Sequence, residues 1–216
     1  MNKAHPTLTE EEKLWRQRVV LVGVDEVGRG PLAGPVVACA LAFDMRDKEM
    51  MQFIPELGIN DSKKVSEKNR ERIFEILTNH ASVWWATGEE NEKTIDTMNI
   101  LQASLSAMRK AVLALEKKHA TSQTKYLYID GREIIPEMTA DQKAVIGGDA
   151  KVLSIAAASI IAKVTRDRLM YGYAQKYPEY EFEKHKGYGT KLHFDLIKKH
   201  GMSPIHRRSF LKKQVV

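Results

Sequence analysis

The sequence predicts an α/β domain built on one mixed sheet. Short apolar runs at residues 19–24, 36–43 and 126–129, the first of them β-branched, alternate with segments of helical apolar spacing. Two of those runs end in carboxylates, Asp25-Glu26 and Asp130, each close to a glycine. At 216 residues the chain is long enough for one sizeable core and short for two.

Residues 9–18 read as a short helix, with Thr9 and Glu12 at capping-box spacing. Residues 19–24 form a buried strand that stops at Asp25-Glu26. The loop Gly28-Arg29-Gly30-Pro31-Leu32-Ala33-Gly34-Pro35 is dense in turn residues and leads into a second strand, 36–43. A loop holding Asn60-Asp61-Ser62-Lys63-Lys64 precedes a helix from Ser66, whose Ile73, Phe74, Ile76 and Leu77 give it an apolar face. Residues 81–87 are a third strand, with Trp84 and Trp85 read as core rather than as a stacking platform. Residues 95–118 place Ile95, Met98, Leu101, Leu105, Met108, Val112 and Leu115 at helical spacing and are expected to form one long helix. Strands at 126–129 and 144–146 follow, then an Ala/Ile-rich helix over 151–176. Beyond Pro178 lies a basic end with a helix over 191–200, stopped by Gly201. No repeat or low-complexity linker divides the chain. The expected organisation is an N-terminal extension (1–18), a body (19–210) and a tail (211–216).

No apolar run approaches the ~20 residues that cross a bilayer. The first 18 residues carry Glu10, Glu11 and Glu12 and no leading apolar block, so a secretory signal is not expected. A single cysteine, Cys39, excludes an internal disulfide framework and a Cys-based zinc site. The cytoplasm is the default compartment. Of the net charge of +6, the segment from Lys184 onward supplies nine Lys/Arg against one acid, Asp195, while the rest carries 25 basic and 27 acidic residues. A basic end on a nearly neutral body suits a polyanionic partner, although a solvated basic tail would look the same.

In an open α/β sheet the carboxyl ends of neighbouring strands line the ligand crevice. Asp25, Glu26 and Asp130 delivered there would repel one another unless a divalent cation compensated them. Oxygen ligands without nearby His or Cys suit Mg²⁺ or Mn²⁺ rather than zinc. Asp167, on the Ile160–Lys163–Asp167 stripe of the long helix, is a candidate fourth carboxylate. Taken singly, each acid is as well explained by a capped turn or an arginine partner. Together they support in-line displacement at a phosphodiester, with two ions ~3.5–4 Å apart activating water and stabilising the leaving oxygen. A Ser–His–Asp arrangement is poorly supported, because four of the seven histidines lie in the basic end and none accompanies a serine elbow.

The loop reads G-x-G-x-x-x-G, with Pro31 and Pro35 interrupting it and a strand rather than a helix following, so it is no dinucleotide fingerprint. No G-x-x-x-x-G-K-[ST] occurs. Its glycines allow backbone groups to approach a ligand closely. Beside a metal cluster, those groups could meet a ribose 2′-OH, by which RNA is told from DNA.

The run from Gly23 to Val36, Gly23-Val24-Asp25-Glu26-Val27-Gly28-Arg29-Gly30-Pro31-Leu32-Ala33-Gly34-Pro35-Val36, resembles the opening of the bacterial ribonuclease HII family. So do Asn60-Asp61-Ser62-Lys63-Lys64, Ile129-Asp130-Gly131, Gly148-Asp149-Ala150 with the stretch running from Ile155 to Asp167, and His185-Lys186-Gly187-Tyr188-Gly189-Thr190. These blocks occur in family order from about residue 19 to 210, and the Gly-Arg-Gly form favours this class over the type 3 enzymes. The resemblance implies a ribonuclease H-like fold, a mixed central sheet flanked by helices, with a small helical C-terminal part. It implies metal binding and catalysis by Asp25, Glu26 and Asp130, completed by Asp167, with two Mn²⁺ or Mg²⁺ ions in the active complex. It further implies that Gly28, Arg29 and Gly30 sense the 2′-OH and that Tyr188 stacks near the sugar at the RNA–DNA junction. From the residues alone, core packing was the simpler reading of that tyrosine. The implied activity is an endoribonuclease acting on RNA–DNA hybrids and 5′ of ribonucleotides embedded in duplex DNA, leaving 3′-OH and 5′-phosphate ends. Ribonucleotide excision repair and primer clearance in DNA replication are the implied roles. Lys63, Lys64 and the basic end are candidate phosphate contacts. A monomer is expected, since no exposed heptad or apolar stripe stands out. The rival readings are a non-catalytic nucleic-acid-binding module, which would need no metal, and another two-metal phosphoryl enzyme, which would not need a 2′-OH.

Overall fold

A computed structural model describes residues 5–119 and 123–211. Helix α1 (Thr9–Arg16) leads into β1 (Val19–Val27) and β2 (Val36–Phe43). Short α2 (Lys48–Phe53) and α3 (Glu67–Asn79) precede β3 (Val83–Glu90). Then come α4 (Glu92–Met98), α5 (Ile100–Lys118), β4 (Thr124–Asp130), β5 (Asp141–Val145) and the long α6 (Leu153–Lys176). Three helices, α7 (Phe182–His185), α8 (Lys191–His200) and α9 (Arg208–Leu211), close the described chain.

The sheet order is β3-β2-β1-β4-β5. β1, β2 and β3 form an antiparallel meander, and β4 and β5 add parallel to β1. β2 lies inside the sheet and is buried along its whole length because helices cover both faces. Its odd-numbered Cys39, Leu41 and Phe43 pack with α6 and α3, and its even-numbered Val36, Ala38, Ala40 and Ala42 pack with α5. This is the period-2 alternation of a strand with two apolar layers. The first ten residues of α6, 153–162, are buried on every side and almost wholly apolar, as a helix segment sunk in the core must be. It reaches β1 at Gly23, where any Cβ would run into the backbone of Ser154 and Ile155. The C-terminal helices form a separate small cluster around Met170, Tyr180, Phe182 and Ile205.

Three expectations need correction. The capping box does not form: Leu8 occupies the N-cap of α1 without a side-chain bond, and Thr9 Oγ1 pairs with Thr7 Oγ1 at 3.0 Å. The expected long helix over 95–118 is two helices, broken at Asn99, whose φ of 72° cannot continue α4 and whose side chain accepts from the N–H groups of Leu101 and Gln102. β1 runs on through Asp25 and Glu26, because β2 keeps pairing there after β4 has stopped at Val24↔Ile129. Within residues 1–18, Leu14 is buried and the Glu11 carboxylate accepts from Ser154 N–H at 2.8 Å, at the start of α6. Helix α9 likewise carries buried Leu211 into the body, whereas the remaining expected tail, including Lys212 and Lys213, lies outside the described residues.

Trp84 and Trp85 pack against opposite core layers, half-buried, as expected of strand tryptophans. Among the described residues no helix is long and apolar enough to cross a membrane.

Candidate active site

Pairing between the parallel strands β1 and β4 ends at Val24↔Ile129, so the next residues, Asp25 and Asp130, emerge side by side. They open onto a cleft of about 260 Å³ lined by Asp25, Glu26, Gly28, Arg29, Gly30 and Ser62, and further by Lys63, Asp130, Asp149, Ser159 and Tyr188. The carboxyl ends of the parallel strands and the start of α6 therefore share one crevice.

Each acid has a different setting. Asp25 is 5% exposed, and its Oδ1 accepts from Glu26 N–H at 2.7 Å. Burial, reinforced by Glu26 and Asp130, pushes its pKa well above the usual carboxylate range. Burial also raises Glu26, against the pull of Arg29, whose Nη1 donates to Glu26 Oε1 at 3.1 Å. Asp130 Oδ1 accepts from Gly148 N–H at 2.7 Å, which ties the end of β4 to the turn before α6. Asp149 follows that turn and is half-buried; burial, then Asp130 and Asp61, raise its pKa.

Asp167, expected as the fourth acid, is not in the cleft. It lies two helical turns beyond Ser159, about 12 Å along the axis of α6. There its Oδ1 accepts from Lys163 Nζ at 2.7 Å, with Arg70 Nη2 4.0 Å from Oδ2. The fourth carboxylate facing the cleft is Asp149. The signal that could have found it was present: like Asp130 it comes at the carboxyl end of a parallel strand and adjoins glycine, Gly147-Gly148.

Lys63 lines the cleft, but Lys64 turns to Asp61 Oδ2 at 3.4 Å and does not. Tyr188 is 37% exposed at the cleft, with Arg166 Cζ 5.8 Å and Lys163 Nζ 5.9 Å from its ring, so core packing is not its role. The basic end is no loose tail. Lys184, Lys191, Lys198, Lys199 and Arg208 face solvent, whereas Arg207 is fully buried.

The donor set fits hard divalent cations: it is all oxygen, and its members repel one another where a positive charge would relieve them. Among the described residues, no three His, Cys, Asp or Glu are arranged to hold an ion as the side chains stand. Asp25, Glu26 and Asp130 each engage a protein donor through one carboxylate oxygen, which leaves the second oxygen of each available to face a cation.

An acid-lined cleft at the carboxyl ends of parallel strands, under a glycine loop, suits a metal-dependent enzyme acting on a phosphodiester. The Ribonuclease HII family model matches residues 22–213. The chain is 44% identical over 205 residues to Ribonuclease HII of Pelodictyon phaeoclathratiforme, covering 95% of this chain and 96% of that one. It is 50% identical over 190 residues to Ribonuclease HII of Endomicrobium trichonymphae, covering 88% and 84%. The crystal structure of ribonuclease H2 from Pyrococcus horikoshii OT3 superposes with a TM-score of 0.68 at 30% identity, over 90% of this chain and 96% of that one. The chain belongs to the Ribonuclease HII family, and so to the metal-dependent ribonucleases H that cut the RNA strand of RNA–DNA hybrids.

Proposed function

We propose that this chain incises duplex DNA on the 5′ side of embedded ribonucleotides, as well as cutting RNA–DNA hybrids, using two divalent ions, Mn²⁺ or Mg²⁺. The observation that carries this reading is the sharing of one cleft by four acids and the Gly28-Arg29-Gly30 loop. Asp25, Glu26, Asp130 and Asp149 would hold the ions, Asp149 taking the place first expected of Asp167. Ions so held supply a more acidic water and charge neutralisation at the leaving oxygen. Water oxygen attacks phosphorus, the P–O3′ bond to the upstream nucleotide breaks, and a proton passes to O3′, leaving 3′-OH and 5′-phosphate ends.

The residues divide the remaining work. Asp25 is the most deeply buried of the four, and that burial favours its protonated form while no cation is present. The Gly28-Arg29-Gly30 backbone meets the 2′-OH, and Tyr188 offers its exposed ring to the adjoining sugar. Lys63 and the exposed lysines of α8 contact phosphates, a sequence-independent attraction that salt weakens.

The test is cleavage of three labelled duplexes, all-DNA, DNA with one ribonucleotide, and RNA–DNA hybrid, with Mg²⁺, Mn²⁺ or chelator. Cutting 5′ of the lone ribonucleotide and within the hybrid is expected, abolished by chelator and by Asp130→Asn. Cutting of the hybrid alone would remove the embedded-ribonucleotide activity. Cutting of the all-DNA duplex would remove the 2′-OH role of the loop.

A further inference from the structure

Two arginines lie fully buried beneath the glycine loop. Every side-chain hydrogen bond seen for either goes to a backbone carbonyl. Arg207 donates from Nη2 to Gly28 O at 2.6 Å, from Nη1 to Arg29 O at 3.1 Å, and from Nε and Nη2 to Gly34 O at 2.9 and 2.7 Å. Arg166 donates to Pro35 O at 2.9 Å, Ala33 O at 3.1 Å and Lys186 O at 3.0 Å. The backbone joins in: Arg207 N–H donates to Leu32 O and Gly34 N–H to Ile205 O.

Isolated buried charges are costly, and a rigid fork of donors is the side chain best suited to offset that cost against several carbonyls at once. The consequence lies in peptide geometry. In a trans peptide unit the C=O and the following N–H point in opposite directions. With Gly28 O and Arg29 O drawn down onto Arg207, the N–H groups of Arg29 and Gly30 are turned the other way. Those are the residues that line the cleft. Gly28, at φ +95°, has no room for a Cβ against Arg166, so this stretch of the loop rests directly on the second guanidinium. Through Lys186 O, that second arginine also fixes the loop relative to the segment carrying Tyr188.

We infer that Arg207 is a positioning residue for sugar discrimination: it fixes the two peptide planes whose N–H groups meet the ribose 2′-oxygen. This rests on the proposal that the loop senses the 2′-OH. A lysine at 207 carries a compact ammonium and cannot serve Gly28, Arg29 and Gly34 together.

The experiment compares single-turnover rates on two duplexes, with ribose or 2′-fluoro-deoxyribose at the scissile nucleotide, since fluorine is a poor hydrogen-bond acceptor. The ratio of the two rates is independent of the fraction of enzyme folded, so general destabilisation does not move it. Wild type should favour ribose strongly. Arg207→Lys and Arg207→Gln should each lower that preference about tenfold, the size expected for two misdirected hydrogen bonds, by slowing the ribose substrate. A variant that slows both substrates alike and keeps the ratio would overturn the inference. No preference in the wild type would instead overturn the reading of the loop. Should neither variant fold, amide resonances of the wild type decide. Arg29 and Gly30 N–H should shift on binding the ribonucleotide duplex and not on binding all-DNA duplex, and unmoved amides would refute the inference.

Discussion

Neutralising Asp149 and neutralising Asp167 should have opposite consequences, although the two acids lie at either end of the same sequence block. Asp167 is 7% exposed at its side chain, and its partner Lys163 is 15% exposed. Asp167→Asn leaves that ammonium without its 2.7 Å partner and Arg70 without a nearby countercharge. Breaking a buried pair costs about 3–5 kcal/mol. Lys163 keeps some access to solvent, so the lower end applies, about 3 kcal/mol, or a melting temperature lower by roughly 6–12 °C for a domain of this size. Asp149 is half-buried among acids, and burial with Asp130 and Asp61 raises its pKa. Asp149→Asn removes that repulsion, so stability should hold or rise slightly. If the carboxylate helps to hold the ions, cleavage should fall at least about 100-fold, since even outer-shell partners of a metal site can be worth that much. Thermal unfolding by circular dichroism and single-turnover cleavage under conditions where both variants are folded provide the two axes. A stable, active Asp149→Asn beside a stable, inactive Asp167→Asn would refute the assignment.

Two further predictions concern stability. His193 Nδ1 donates to Tyr188 O, so His193 Nε2 must accept from His206 Nε2 at 3.0 Å, and His206 Nδ1 in turn accepts from Ser203 N–H at 2.8 Å. Burial holds both rings at a pKa of about 4, below the usual 6.5. The unfolded chain therefore takes up protons first, and stability should fall between pH 6.5 and 4 by about 1.4 kcal/mol per pH unit for each ring. Urea unfolding at pH 7 and 5 should show this fall, with a shallower slope in His206→Gln; an unchanged slope would exclude His206 as a source. Asn99→Ala should cost roughly 2–3 kcal/mol, from a positive φ unsuited to alanine and a lost cap. Asn99→Gly should cost less than half of that, and equal losses would show that the backbone angle does not matter.

The sheet was legible because its inner strands are simple: β2 is apolar on both faces, and β1 and β4 are apolar runs that lead into acids. Where the chain departs from a single period, local reading faltered. Asn99 interrupts α4 and α5 without disturbing their apolar spacing, so only its backbone angle reveals the break. The short helices α2, α7 and α9 hold too few residues to show a period. At the site, Asp25, Glu26 and Asp130 were found from their place at strand ends, and the structure brings them into one cleft with Gly28, Arg29, Gly30, Lys63 and Tyr188. Asp167 was drawn in by a helical stripe that says which residues share a face, not how far along the axis the cleft extends. Arg207 was counted as part of a basic end, because nothing local tells a buried guanidinium from an exposed one. Its partners at Gly28 and Arg29 lie 179 and 178 positions away.

The most direct test of the acidic cleft is calorimetric titration of Mn²⁺ into the enzyme bound to a ribonucleotide-containing duplex made non-cleavable by a methylene group in place of the bridging O3′ at the scissile phosphate. Binding should weaken at least about tenfold in Asp130→Asn and in Asp149→Asn and stay within twofold of wild type in Asp167→Asn. Equal affinity in all four proteins would place the ions elsewhere and contradict the account.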